Sequence, residues 1–192
     1  MKKGKKVLVL LGSPTRKGNS AILAEKIAGG AKAAGAAVET VFLHALAIAP
    51  CKACYACQKP KSKGCSIDDD MQPLYRKMIE ADAWVLASPV YWFTMSAQLK
   101  LWMDRCLALG AYGKDPFKGK RIAVAMTYGG EDPFDSGCVN ALRTFQDAYN
   151  YVGATLVGMV YGSAMEPGDI KTNKTLLKEA RALGAKLVDY ND

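Results

Sequence analysis

Four cysteines, Cys51, Cys54, Cys57 and Cys65, follow the spacing C-x2-C-x2-C-x7-C. Thiolates are soft metal ligands, and the two-residue spacers bring three sulfurs close without help from distant segments. Gly64 lets the chain turn so that Cys65 can join them. Such a group suits a four-iron cluster, a tetrahedral zinc site or free, redox-active thiols. The bacterial ferredoxin ending C-x3-C-P is absent, and Cys65 is the weakest member because its spacer is long. The spacing leaves all three chemistries open. Cys106 and Cys138 stand apart from this set and read as core thiols.

Three further stretches carry chemistry. The first, GSPTRKGNS over residues 12–20, offers Ser13, Thr15, Arg16, Lys17, Asn19 and Ser20 where a helical pattern begins. Hydroxyls, an amide, two cations and free N–H groups at a positive helix end suit a phosphate. The stretch is neither a Walker A loop nor a G-x-G-x-x-G fingerprint; its plain alternative is a turn with Ser20 as cap. The second, SPVYWFTMS over residues 88–96, places Tyr91, Trp92 and Phe93 in succession. Three adjacent aromatics suit stacking beside a flat ring; the alternative is packing on a neighbouring helix or a subunit contact. The third, Thr127-Tyr128-Gly129-Gly130, lets backbone N–H groups approach a ligand closely, or is a simple turn.

These stretches need elements to hold them. Residues 7–11 are an unbroken apolar run, as expected of a strand buried on both faces. Further strands are expected at 38–43, 83–87, 122–126 and 156–160, with helices from about 19, at 99–109, 140–151 and 176–188. Residues 31–37 read as a small-residue linker. The alternation predicts an α/β fold: a three-layer, doubly wound, five-stranded parallel sheet in the flavodoxin-like order 2-1-3-4-5. Ligands of such sheets lie beyond the strands' C-terminal ends at the switch point, where all three stretches converge.

The 192 residues read as one domain, 1–192, with a cysteine-rich loop at 50–66. There are 26 basic and 18 acidic residues, a formal charge of +8. Lys2, Lys3, Lys5 and Lys6 supply four of these charges at an end expected to fray, so nucleic acid is disfavoured as a partner. No segment reaches transmembrane length. Six cysteines without a visible export signal point to the cytoplasm. The one histidine, His44, reads as structural, which disfavours a Cys-His hydrolase.

In combination, GSPTRKGNS, SPVYWFTMSAQLK and TYGG resemble the three flavin loops of the NADPH-dependent FMN reductase family, over residues 5–188. The resemblance implies that Ser13, Arg16, Asn19 and Ser20 hold the FMN phosphate, with Thr15 and Lys17 beside them. It implies that Pro89, Val90, Tyr91, Trp92, Phe93 and Ser96 line the isoalloxazine, and that Thr127, Tyr128, Gly129 and Gly130 meet its pyrimidine edge. The cysteines and the Asp68-Asp69-Asp70-Met71 stretch resemble the iron-sulfur flavoprotein branch, implying Cys51, Cys54, Cys57 and Cys65 as 4Fe-4S ligands. The expected function is transfer of electrons from NAD(P)H to an acceptor through bound FMN, with no catalytic side chain required. One alternative is an iron-sulfur electron carrier serving a ferredoxin-like acidic partner through Lys59, Lys61 and Lys63. Another is a flavin-free zinc-binding module. The aromatics of the second loop suit a homodimer or homotetramer.

Overall fold

The computed structural model describes residues 4–190. The chain runs β1 (Lys6–Leu11), α1 (Asn19–Ala33), β2 (Ala37–Phe42), α2 (Met71–Glu80), β3 (Ala83–Tyr91), β4 (Thr94–Met95), α3 (Ala97–Arg105), β5 (Arg121–Tyr128), α4 (Cys138–Tyr151), β6 (Thr155–Ser163) and α5 (Lys174–Asp189). Five strands pair in parallel in the order β2-β1-β3-β5-β6, which is the order the sequence predicts. A sixth strand, the two-residue β4, turns back antiparallel on the end of β3. Two residues are too few to display a period, so this strand has no signature in the sequence.

Alternation along each strand builds two cores. Leu8 and Leu10 of β1, Trp84 and Leu86 of β3, and Ile122, Val124 and Met126 of β5 face α2, α3 and α4. Val7, Val9, Ala83, Val85, Ala87, Ala123 and Ala125 face α1 and α5. The first core is aromatic: the Trp84 ring meets Trp102 edge-on at 5.6 Å and Phe117 at 5.8 Å. Edge-to-face pairs of this kind add about 0.5–1.5 kcal/mol beyond their area. The second face carries small residues, and there the helices come close. A Cβ on Gly30 would stand 1.9 Å from the Arg181 carbonyl oxygen, and one on Gly184 would stand 1.9 Å from that of Ile27. Backbone contact between α1 and α5 explains why 31–33 continue α1 where a linker is expected.

Other boundaries shift in ways that matter to the site. Residues 88–91 belong to β3 and 127–128 to β5, so these strands run further toward the cleft than their apolar centres suggest. Helix α3 ends at Arg105 and gives way to a 3-10 segment, Cys106–Tyr112. Lys5 and Lys6 are held by ion pairs to Asp82 and Glu80, not frayed; Lys2 and Lys3 lie outside the described residues.

Candidate functional site

The first loop leaves β1 at Gly12, whose N–H donates to the Ala87 carbonyl at 2.8 Å. A Cβ on Gly12 would meet Leu99 Cβ at 2.8 Å and Ser96 Oγ at 3.0 Å, so only glycine fits there. Ser96 is fully buried: its hydroxyl donates to the Gly12 carbonyl at 2.6 Å and accepts from the Leu99 N–H, capping α3. The Ser13 hydroxyl accepts from the Thr15 N–H at 3.0 Å, and the Gly18 N–H returns to the Thr15 carbonyl. Gly18, not Ser20, stands at the N-cap of α1, with no side-chain cap and no acidic residue in the first turn. The opening N–H groups of this helix have no partner inside it, and the positive end of its dipole is unneutralised.

The second loop is a hairpin. Trp92 and Phe93 have φ of +48° and +66°, so both central residues of the two-residue turn between β3 and β4 are left-handed. Such turns normally recruit glycine or asparagine, and two aromatics there store backbone strain. Phe93 is anchored: its carbonyl accepts from Asn140 Nδ2 at 3.1 Å, and Gly137 leaves room for its ring. Trp92 is 93% exposed. The third loop follows β5. The Tyr128 carbonyl accepts from the Ala164 N–H at 2.8 Å, and the Gly130 carbonyl accepts from the Ser163 hydroxyl.

Together these loops form an open cleft at the C-terminal end of the sheet. Ser13, Thr15, Asn19, Ser20, Pro89, Val90, Tyr91, Thr127, Tyr128 and Gly129 line it. The other expected residues lie around it. The Arg16 guanidinium sits 4.3 Å over the Phe42 ring, Lys17 faces solvent, Trp92 and Phe93 form the exposed hairpin tip, and Gly130 is exposed. Ser96 lies beneath, joining two loops. Three lining residues were not expected: Ala164, Met165 and Pro167. Their signal was only the turn-rich string after the last strand. The lining holds no His, Asp, Glu, Lys or Cys. Its one phenol near the core, Tyr128, is pushed up from its ordinary pKa by burial and by the neighbouring Cys138 and Tyr161.

The cysteine loop is fastened elsewhere, under α3. Arg105 is wholly buried and forks onto Asp69, with Nη1–Oδ2 at 2.5 Å and Nη2–Oδ1 at 3.1 Å. Its Nη1 also donates to the Ala49 carbonyl at 2.8 Å, and its Nη2 to Cys65 Sγ at 3.3 Å. Burial pushes the Asp69 carboxyl up, but Arg105 and the N–H groups of Ala49 and Met71 outweigh it and hold the pKa below the ordinary range. Cys54 Sγ lies 3.4 Å from Ser66 Oγ; this contact and the Ala56 N–H lower its pKa. Ala53 and Tyr55, on either side, are both left-handed. Among the described residues no group of three or more His, Cys, Asp or Glu side chains is placed to hold a metal ion. As arranged, the four thiols are not gathered into a zinc or cluster site. Cys106 and Cys138 are buried in the core, as expected.

Residues 5–167 match the sequence profile described as NADPH-dependent FMN reductase. The chain belongs to this family. It is 36% identical over 157 residues to an iron-sulfur flavoprotein of Methanosarcina thermophila, covering 80% of this chain and 77% of that one. It is 31% identical over 197 residues to an iron-sulfur flavoprotein of Methanocaldococcus jannaschii, covering 96% of each. Its fold matches the solved NAD(P)H:quinone oxidoreductase from Methanothermobacter marburgensis with a TM-score of 0.73, at 21% identity over 99% of this chain and 100% of that one. As a member of the FMN reductase family, the protein is a flavin oxidoreductase of flavodoxin-like fold, and FMN and NAD(P)H are its cofactor and co-substrate. The flavin-free zinc alternative is thereby dropped. The cleft suits FMN on its own terms. An uncapped helix N-terminus answers a phosphate, and a lining without carboxylate, amine, imidazole or thiol suits a cofactor that carries its own chemistry.

Proposed function

We propose that the cleft holds FMN with its phosphate on the opening N–H groups of α1, beside Ser13, Thr15 and Ser20. Pro89, Val90 and Tyr91 then flank the ring system, and Thr127, Tyr128 and Gly129 border its pyrimidine edge. Bound there, FMN would supply the redox chemistry, accepting a hydride from NAD(P)H and releasing electrons singly or in pairs. The chain's part is to bind, orient and tune: N–H groups of Gly129 and Gly130 favour negative charge on the pyrimidine side. Tyr91 offers an exposed aromatic face to a flat co-substrate. The whole chain acts as one domain in this reading.

The observation that carries this reading is the uncapped start of α1 opening into a cleft lined by no carboxylate, amine, imidazole or thiol. Replacing Ser13 and Ser20 together with Ala should weaken FMN by about 1–3 kcal/mol, the loss of two hydroxyl contacts to a charged group. Titration of the flavin-free protein with FMN measures it. Unchanged affinity would take the first loop out of the site.

A second reading concerns the cysteine loop. Its spacing and the iron-sulfur flavoproteins among its relatives favour a 4Fe-4S cluster on Cys51, Cys54, Cys57 and Cys65. Assembly would require the loop to draw its sulfurs together. Lys59, Lys61 and Lys63 are exposed beside them and suit an acidic, ferredoxin-like electron partner. Anaerobic reconstitution should leave close to four irons per chain, and Cys65→Ala should lower this sharply. A preparation that keeps FMN but takes up no iron would leave a flavin reductase with spare thiols. All six cysteines are unpaired, which accords with a cytoplasmic setting. No helix of the described residues is long and apolar enough to cross a membrane.

A further inference from the structure

The cleft has a fourth side, formed by the stretch 164–167 after β6. Asn19 fastens it. Asn19 Nδ2 donates to the carbonyls of Glu166 at 2.9 Å and Ala164 at 3.5 Å. Its Oδ1 accepts from the N–H groups of Gly168 at 2.9 Å and Ile170 at 3.4 Å. A primary amide has two donor hydrogens and two acceptor lone pairs. All four are spent inside the chain, so the Asn19 side chain has nothing left for a phosphate, although it stands in the loop where a phosphate is expected. Met165 is what the fastened stretch presents. It is 74% exposed, and a Cβ on Gly129 would stand 3.0 Å from its Sδ, so it lies directly against the third loop. A flexible, polarisable thioether at an open cleft fits an irregular apolar surface.

We propose that 164–167 is a fourth wall of the cofactor site, that Met165 contacts the part of the flavin shared by FMN and riboflavin, and that Asn19 is a positioning residue acting through this wall. The proposal rests on the FMN reading above and assigns Asn19 a different task from phosphate binding. A phosphate ligand and a wall tether differ in one measurable respect. Loss of a phosphate ligand weakens FMN and spares riboflavin, which has no phosphate. Loss of a wall tether weakens both alike.

The test is the affinity of FMN and of riboflavin for the wild-type protein and for Asn19→Ala, read by quenching of flavin fluorescence. Both flavins should lose about tenfold, with the two losses within threefold of each other. A loss confined to FMN would make Asn19 a phosphate ligand and overturn the proposal; unchanged affinity for both would overturn it as well. A second measurement avoids any folding defect in the variant. Met165 of the wild-type protein is oxidised with dilute peroxide, with and without FMN, and its sulfoxide followed by peptide mass. Bound FMN should slow Met165 oxidation at least fivefold, and equal rates would remove it from the site. If the wild-type protein binds neither flavin, the functional reading itself fails and this inference falls with it.

Discussion

Arg105 and Asp69 form the most committed polar contact in the molecule. Breaking a buried pair from one side strands the other charge, at a cost of about 3–5 kcal/mol. Asp69→Asn should therefore destabilise the fold by that order, measured by denaturant unfolding. The pH dependence has a definite sign. The folded-state pKa of Asp69 lies below its unfolded value, so its stabilisation is present above the ordinary aspartate range and lost as pH falls through the depressed value. Acid titration of the wild-type protein should unfold it through this window, and Asp69→Asn should lack that contribution. Little of this was readable beforehand. Asp69 looks like one of three acids opening a helix, and a lone arginine in an amphipathic helix carries no mark of burial. Ser13, Asn19 and Ser20 all line the cleft, a position legible from polar side chains clustering at a strand-to-helix turn. What the sequence does not display is the partner of the Asn19 side chain, because it lies nearly 150 residues away.

The elements were the most legible level. Residues 7–11, 83–87 and 122–126 announce buried parallel strands by unbroken apolar runs, and the strand order follows from their alternation with helices. What escaped was geometry that depends on backbone contact. Gly30 and Gly184 look like mild helix weakeners, yet each lies against the carbonyl of the opposite helix. Gly184→Ala should force α1 and α5 apart and cost at least the 1–3 kcal/mol typical of overpacking, despite alanine's better helix propensity. A melting temperature equal to or above wild type would mean the helices re-seat freely. Because α1 carries the proposed phosphate site at its start, the same variant should also weaken FMN. The β3–β4 hairpin escaped too, because Trp-Phe is among the least expected pairs for a turn of two left-handed residues.

At the level of the whole molecule, the exposed Trp92 is the most informative surface feature. Strain of this kind persists where something rewards it. An apolar ring standing 93% in solvent on such a turn suits a contact between copies of the chain. Trp92→Ala should lower the oligomer size seen by light scattering, or alter flavin fluorescence, with little change in melting temperature. A large fall in melting temperature with size and flavin undisturbed would make Trp92 part of the core. The charge of +8 bears on the same surface. Lys5 and Lys6 are engaged in ion pairs, whereas Lys59, Lys61 and Lys63 of the cysteine loop are among the exposed cations without one in the described residues, and any steering of an acidic partner by them would be screened by salt.

Helix α3 joins the two regions of interest. Its first turn is pinned by Ser96 to the carbonyl of Gly12, and its last residue, Arg105, grips Asp69 and Cys65. It is therefore a ruler. At 1.5 Å per residue, the nine steps from Ser96 to Arg105 set the flavin loop and the cysteine loop about 14 Å apart along its axis. A ruler of this kind tolerates changes of letter but not of length. One inserted residue would swing the arginine by about 100° around the axis and away from its carboxylate. The loops at either end can drift in sequence across related chains, whereas insertions and deletions should be excluded from the nine residues between them.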